Sequence, residues 1–169
     1  MSHPSRSPAT PAANPAQPAI EYYPMPSFPL LAVADLAASS DWYQEALGFE
    51  HVFTMPGPGG APGLVHLRWR KYADLLMRAE PRATEKTAEK KGVGIALNFA
   101  CNESVEALNA LAGRARAAGA RFVQEPGDRP WNARDFTVAD PDGFALTFSF
   151  GPLKRNLSMD DVAKSVRKP

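Results

Sequence analysis

The sequence predicts an α+β fold built from two βαβββ modules. Two observations carry this prediction. The order strand, helix, strand, strand, strand is written twice along the chain. The stretches "EALGFEHVF" (45–53) and "RAAGARFVQ" (116–124) also take equivalent places in the two copies: helix end, glycine, next strand. Composition agrees: 169 residues, 44% hydrophobic and 22% charged, suit one globular domain or two small modules sharing a core.

The first module starts at Phe28. "FPLLAVA" is an apolar strand with its proline near the start, where a strand tolerates one. Asp35 stands as a helix N-cap before "LAASSDWYQEAL", and Leu36, Tyr43 and Leu47 share one helical face. Gly48 follows as a left-handed C-cap. "FEHVFTM" is a strand, and "PGPGGAPG" (56–63) a loop, because regular structure does not survive so much glycine and proline. "LVHLRWR" alternates, with Val65, Leu67 and Trp69 on one face and His66, Arg68 and Arg70 on the other. "YADLLMRA" closes the module at residue 80, and a charged linker without an apolar stripe spans 81–91.

The second module (92–152) repeats the order. "VGIALNFA" is a strand; a helix follows, capped by Asn102 or Ser104, with Val105, Leu108, Leu111, Ala112 and Ala115 as its stripe and Gly119 at its end. "ARFVQE" is a strand, followed by a loop to Pro130. "ARDFTVA" and "FALTFSF" form a hairpin around Asp140-Pro141-Asp142-Gly143, a type I turn with a bulge.

Two tails flank the modules. Residues 1–27, "MSHPSRSPATPAANPAQPAIEYYP" and onward, are rich in Pro, Ala and Ser and read as a flexible tail, with "IEYYPM" pinning its end to the body. It holds PxxP spacings at Pro8–Pro11 and Pro15–Pro18, and it lacks the apolar core of a secretory signal. Residues 153–169 form a C-terminal tail with a short helix capped by Ser158.

Several function classes lose support. A net charge of +1 gives no basic excess for nucleic acid. No apolar run is long enough to span a bilayer. The lone cysteine, Cys101, permits no intrachain disulfide, which fits a cytoplasmic setting. Cys101 precedes a helix, where a thiolate is favoured, but no histidine is expected beside it, so it reads as an inert small residue. "PGPGG" lacks the helix and lysine of a phosphate loop.

The stretches "LAVADLAASSDWYQEALGF" (31–49) and "PWNARDFTVADPDGFALTF" (130–148) resemble the vicinal oxygen chelate superfamily, which holds glyoxalase I, extradiol dioxygenases and fosfomycin- and bleomycin-resistance proteins. The "PW-x-x-R-D-F…DP-x-G" block is most similar to the bleomycin-resistance branch. The resemblance implies modules curled around a shared cavity, often completed in a homodimer by module exchange. It also implies, for the enzymes, a divalent metal held by His, Gln and Glu on the first and last strands of each module. Carried onto this chain, those places are Phe28, a residue near Leu76 with Asp74 the nearest acid, Gly94 and Thr147. Phenylalanine and glycine offer no donor, and His3, His51 and His66 fall outside these places, so no metal, cofactor or catalytic residue is expected.

Alternation then assigns Phe28, Leu30, Ala32, Gly94, Ala96, Asn98, Ala145, Thr147 and Ser149 to the cavity. Leu31, Val33, Ile95, Leu97, Phe99, Phe144, Leu146, Phe148 and Phe150 fall to the core. Small inward residues leave room for a ligand hydrogen-bonded by Asn98, Thr147 and Ser149, or for a partner subunit's side chains. Trp131 is a candidate for stacking on a planar ligand or a cover for the barrel rim. Phe53 is either an opposing wall or core. His66, Arg68 and Arg70 either meet a polar or anionic ligand or form a solvated edge. The expectation is a metal-free binder that sequesters a planar, antibiotic-like small molecule. The alternative is a lyase, dioxygenase or isomerase whose base would be Asp74, His66 or Asp135. A third reading makes the Pro-rich tail a protein-interaction segment.

Overall fold

Each module folds as one mixed four-stranded sheet carrying one helix. The computed structural model describes residues 20–80 and 91–166; His3, both PxxP spacings and linker residues 81–90 lie outside them. The first module contains β1 (Leu30–Val33), α1 (Leu36–Leu47), β2 (Glu50–Pro56), β3 (Pro62–Arg70) and β4 (Ala73–Ala79). The second contains β5 (Ala96–Ala100), α2 (Val105–Ala117), β6 (Arg121–Arg129), β7 (Ala133–Ala139) and β8 (Ala145–Phe150). A helix α3 (Met159–Val166) ends the described chain. The strand orders β1-β4-β3-β2 and β5-β8-β7-β6 are the same topology written twice, with β1·β4 and β5·β8 parallel and the other pairs antiparallel.

The helix ends follow local chemistry. Asp35 accepts a hydrogen bond from the Ala38 amide, and Ser104 from the Ala107 amide, satisfying donors that the first helical turns leave open. Gly48 ends α1 at φ 71°, in the left-handed region.

One apolar layer serves both modules. The helices α1 and α2 pack on each other. An aromatic chain runs from Tyr43 of α1 through Phe49 to Phe99 of β5, which stacks on Phe148 of β8 with centroids 5.1 Å apart. Trp69 of β3 meets both Phe99 and Phe148, so the first sheet is packed into the second. Leu31, Val33, Leu75 and Met77 complete this layer from the first module, and Leu108, Phe136, Val138 and Leu146 from the second.

The Asp140–Gly143 turn joins the modules as well as closing a hairpin. Asp140 and Asp142 reach across to the first module: the Tyr43 hydroxyl of α1 donates to Asp140 over 2.9 Å, and the Ala34 amide, between β1 and α1, donates to Asp142 over 2.9 Å. Lys91 ties Asp142 (2.7 Å) to Glu80 (2.8 Å). Burial pushes the Asp140 carboxyl up, only partly offset by the Tyr43 hydroxyl. Burial, with Asp140 beside it, pushes the Tyr43 phenol well above its ordinary range.

Several element boundaries differ from expectation. The 56–63 stretch is not all loop: Pro56 ends β2 and pairs with Pro62 at the start of β3, and Pro58–Gly60 forms a short 3-10 turn between them. β1 begins at Leu30, not Phe28. β5 begins at Ala96, because Gly92 and Gly94 take positive φ and the Ile95 amide closes a turn on the Gly92 carbonyl. Ile95 consequently leaves the core and is 66% exposed. β6 runs to Arg129 where a loop was expected; register shifts let the strand absorb Pro126 and Gly127 without losing its pairing to β7.

Candidate functional site

The register places the predicted cavity residues on the sheet faces turned away from the helices. Across the first sheet, Leu30, Leu76, His66 and Phe53 form one rung, with Arg68 paired to Asp74 in the next. Across the second, the matching rungs are Asn98, Thr147, Thr137 and Gln124, then Ser149 and Asp135. First-strand neighbours of the last strand are therefore Leu30 and Asn98; Phe28 precedes β1 and Gly94 precedes β5. The rungs differ in chemistry. On the second sheet, the Thr137 and Thr147 hydroxyls share a 2.8 Å hydrogen bond, and Arg129 pairs with Asp135 at 2.6 Å beside Ser149.

The first sheet holds a charged cluster. His66 and Arg68 are buried rather than lying on a solvated edge, and both bond to Asp74: His66 Nε2 at 2.7 Å and Arg68 Nε at 2.8 Å. The other Asp74 oxygen accepts from the Tyr23 hydroxyl at 2.6 Å. Burial pushes the Asp74 carboxyl up, but hydrogen bonds from Tyr23, His66 and Arg68 outweigh it and hold the group below its usual range. An ionised Asp74 can only accept, so His66 Nε2 carries a proton toward it. Nδ1 is buried with no hydrogen-bond partner, and the Phe53 ring meets the imidazole edge-on at 5.2 Å.

Tyr23 belongs to residues 20–28, which lie as a strap across this face. The Arg68 guanidinium sits 4.3 Å from the Tyr23 ring centroid and also donates to the Glu21 carbonyl. Lys71 pairs with the Glu21 carboxylate at 2.6 Å. The Tyr72 amide donates to the Tyr23 oxygen at 2.7 Å, and Tyr72, the second residue of the tight β3–β4 turn, has φ 65°, strained for a bulky residue.

Next to the cluster is a cavity of about 630 Å³ at the seam between the modules. Trp69 and Phe99 lie at its apolar side; Asn98, Arg70, Lys71, Tyr72 and Asp74 supply its polar groups. Among the residues singled out in the sequence as candidates for the site, Asn98, Arg70, Asp74 and Ala96 line it. Thr147, Ser149, His66, Arg68, Phe53 and Phe28 do not line it. Trp131 stands apart on the β6–β7 turn, 51% exposed. Its neighbour Asn132 adopts φ 65°, a conformation asparagine shares with glycine, and hydrogen-bonds in both directions with Lys154, so the loop keeps a tight turn. Tyr23 was not singled out in the sequence; its signal is an aromatic pair, "YY", in a stretch otherwise poor in large apolar residues.

Most of the two-module segment finds a match among protein families. The glyoxalase/bleomycin resistance protein/dioxygenase superfamily model matches residues 27–148. The chain belongs to this superfamily. Solved structures of the superfamily and its likenesses agree on the fold. TioX from Micromonospora sp. ML1 is 23% identical, covering 79% of this chain and 98% of its own, with a TM-score of 0.56. A superfamily domain from Frankia sp. EAN1pec is 21% identical over 81% of this chain and 96% of its own, TM-score 0.62. A superfamily enzyme from Burkholderia phytofirmans PsJN is 22% identical over 73% and 96%, TM-score 0.59. No curated protein matches the sequence. No helix among the described residues is long and apolar enough to cross a membrane.

The superfamily's enzymes imply a divalent metal between first and last strands, and the residues present there do not fit one. Leu30 and Leu76 have no donor atoms, and Asn98 and Thr147 supply only neutral amide and hydroxyl groups. His66 and Asp74 do carry donors, but Asp74 is already engaged by Tyr23, His66 and Arg68. No three His, Cys, Asp or Glu side chains among the described residues converge on a point.

Proposed function

We propose that this protein binds a planar, aromatic small molecule and holds it without making or breaking a bond. The observation that carries the reading is the chemistry of the two last-strand rungs: leucines on one sheet, and asparagine and threonine hydroxyls on the other, where a catalytic relative would need metal ligands. Apolar walls with a few polar groups suit recognition more than turnover. The seam cavity, with Trp69 and Phe99 beside Asn98 and Arg70, has the same composition and a volume fit for a drug-sized guest. We further propose that the protein works as a homodimer. The sheet faces turned from the helices leave Leu30 half exposed and Ala96 and Asn98 open, and a second copy laid against them would close a larger cavity. Sequestration of an antibiotic-like compound is the role such a pocket serves.

The test is a titration of the full chain with a panel of planar aromatic natural products, read by tryptophan fluorescence and calorimetry, with recovery of unchanged compound afterwards. Tight binding with intact ligand supports the proposal; chemical conversion, or no binding across the panel, refutes it. Sedimentation of the free protein as a monomer at micromolar concentration refutes the dimer.

One observation favours a second reading. The His66–Asp74 pair, with Nδ1 left without a hydrogen-bond partner, is the arrangement a general base uses. Turnover of a methylglyoxal–glutathione adduct that survives a chelator and is lost in His66→Gln would establish an enzyme instead.

A further inference from the structure

The way Tyr23 is held is the way a protein holds a phenolic ligand. Its hydroxyl donates to a carboxylate, Asp74, and accepts from a backbone amide, that of Tyr72, at 2.6 and 2.7 Å. Only a group that both gives and takes a hydrogen bond satisfies that pair, which selects a hydroxyl over an ether, an amine cation or a carboxylate. The Arg68 guanidinium lies over the ring face, favouring an electron-rich aromatic. The Tyr72 ring meets Tyr23 edge-on at 4.8 Å. The Tyr72 amide is fixed by the tight β3–β4 turn, in which Tyr72 takes φ 65°.

The occupant is weakly tied to the protein. Residues 20–28 form no strand, and Tyr22 is 70% exposed. Apart from Tyr23, the strap is held mainly through Glu21, and the Glu21–Lys71 ion pair is formed by two largely exposed side chains. The niche also opens on the seam cavity: Lys71, Tyr72 and Asp74 line both, and Ser27 and Pro29 of the strap region form part of the cavity wall.

We propose that the niche made by Asp74, Arg68 and the Tyr72 amide is a binding site for hydroxyaryl compounds, occupied in the resting protein by Tyr23, and that such a ligand enters by displacing the strap. It rests on the small-molecule-binding reading and names the ligand class for that site. The hydroxyl end takes the place of the Tyr23 phenol, and the remainder of the ligand extends along the seam toward Asn98. The strap acts as a built-in competitor that lowers affinity by the fraction of molecules in which it is closed.

The experiment compares 4-ethylphenol and 4-ethylanisole by calorimetry on the full chain and on its Tyr23→Ala variant. The expected result is 4-ethylphenol binding about tenfold tighter to Tyr23→Ala than to the unaltered protein, the gain when the open form is about a tenth populated. The ether, which has no proton for Asp74, shows no such gain, and Asp74→Asn in the Tyr23→Ala background loses it. The ether control keeps the test intact if the double variant does not fold. An equal gain for phenol and ether overturns the proposal, because the niche is then merely apolar. No gain for phenol, while planar compounds still bind the unaltered protein, overturns it and leaves the broader binding reading standing. Failure of every aromatic compound on both proteins removes both.

Discussion

Tyr43→Phe tests whether the Asp140–Gly143 turn clasps the two modules. The substitution removes one oxygen and nothing else. Tyr43 is fully buried, Asp140 is nearly so, and the lost hydrogen bond is 2.9 Å long. A hydrogen bond to a charged group contributes about 1.5–3 kcal/mol, so the variant should lose roughly that at neutral pH. For a chain of this size each kcal/mol lowers Tm by about 2–4 °C, giving a drop of roughly 3–12 °C. The loss also depends on pH. Burial raises the Asp140 pKa, so the protonated form is preferred in the folded state. That contribution is fully present below the unfolded carboxyl pKa and is lost as pH rises through the folded one. The Tyr43 hydroxyl opposes the rise by favouring the charged form, so its removal hurts most where Asp140 must ionise, near pH 7, and least near pH 4. Urea unfolding at both pH values, followed by tryptophan fluorescence, measures the difference. A deficit below about 0.5 kcal/mol at pH 7, or one equal at both pH values, would refute the assignment of Tyr43–Asp140 as a buried, charge-assisted contact.

Asp74→Ala leaves the Arg68 guanidinium buried without its carboxylate and should cost about 3–5 kcal/mol, seen as a lower urea midpoint at pH 7. Because the Asp74 pKa is lowered in the folded state, its contribution is present above the unfolded carboxyl pKa and disappears as pH falls through the folded value, so the gap between the two proteins should narrow in acid. Gly48→Ala should destabilise by about 1–2 kcal/mol, since the left-handed cap at φ 71° penalises a Cβ and the added atom meets the Arg114 side chain; thermal melting reads it. Burial, with Glu103 accepting from the thiol, pushes the Cys101 pKa up, so a disulfide reagent at pH 8 should modify it far more slowly than in unfolded protein.

The fold was written locally and could be read locally. Asp35, Gly48 and Ser104 announce helix ends through side-chain oxygens and a left-handed backbone, both short-range effects. Alternation in 64–70 separates Val65, Leu67 and Trp69 from His66 and Arg68 as the structure does. Where a bulge or a glycine turn intervenes, alternation fails: Ile95 was misread because the turn at Gly92–Ile95 delays the start of β5, and the far end of β6 because its pairing to β7, not its own sequence, decides it. The site was less legible. His66 and Arg68 were marked for their charge, but their burial depends on Asp74 eight and six residues on and on Tyr23 more than forty residues back. Asp140 and Asp142 looked like turn residues because a turn motif explains them completely; their reach to Tyr43 and Ala34, about a hundred positions away, leaves no trace in local pattern.

Lys91 gives the chain an uncommon tolerance. By bridging Glu80 and Asp142 it fixes, by side chain, the two points between which residues 81–90 run. The modules are therefore united by shared aromatics and the acidic turn, and covalent continuity between them adds little beyond effective concentration. Segments inserted after Glu80 should cost only the slow logarithmic penalty of a longer connection between two fixed points. The same geometry marks this junction as the place to cut the gene in two: halves expressed from separate plasmids should find each other and rebuild the domain, a relic of the fusion from which a duplicated module would have begun.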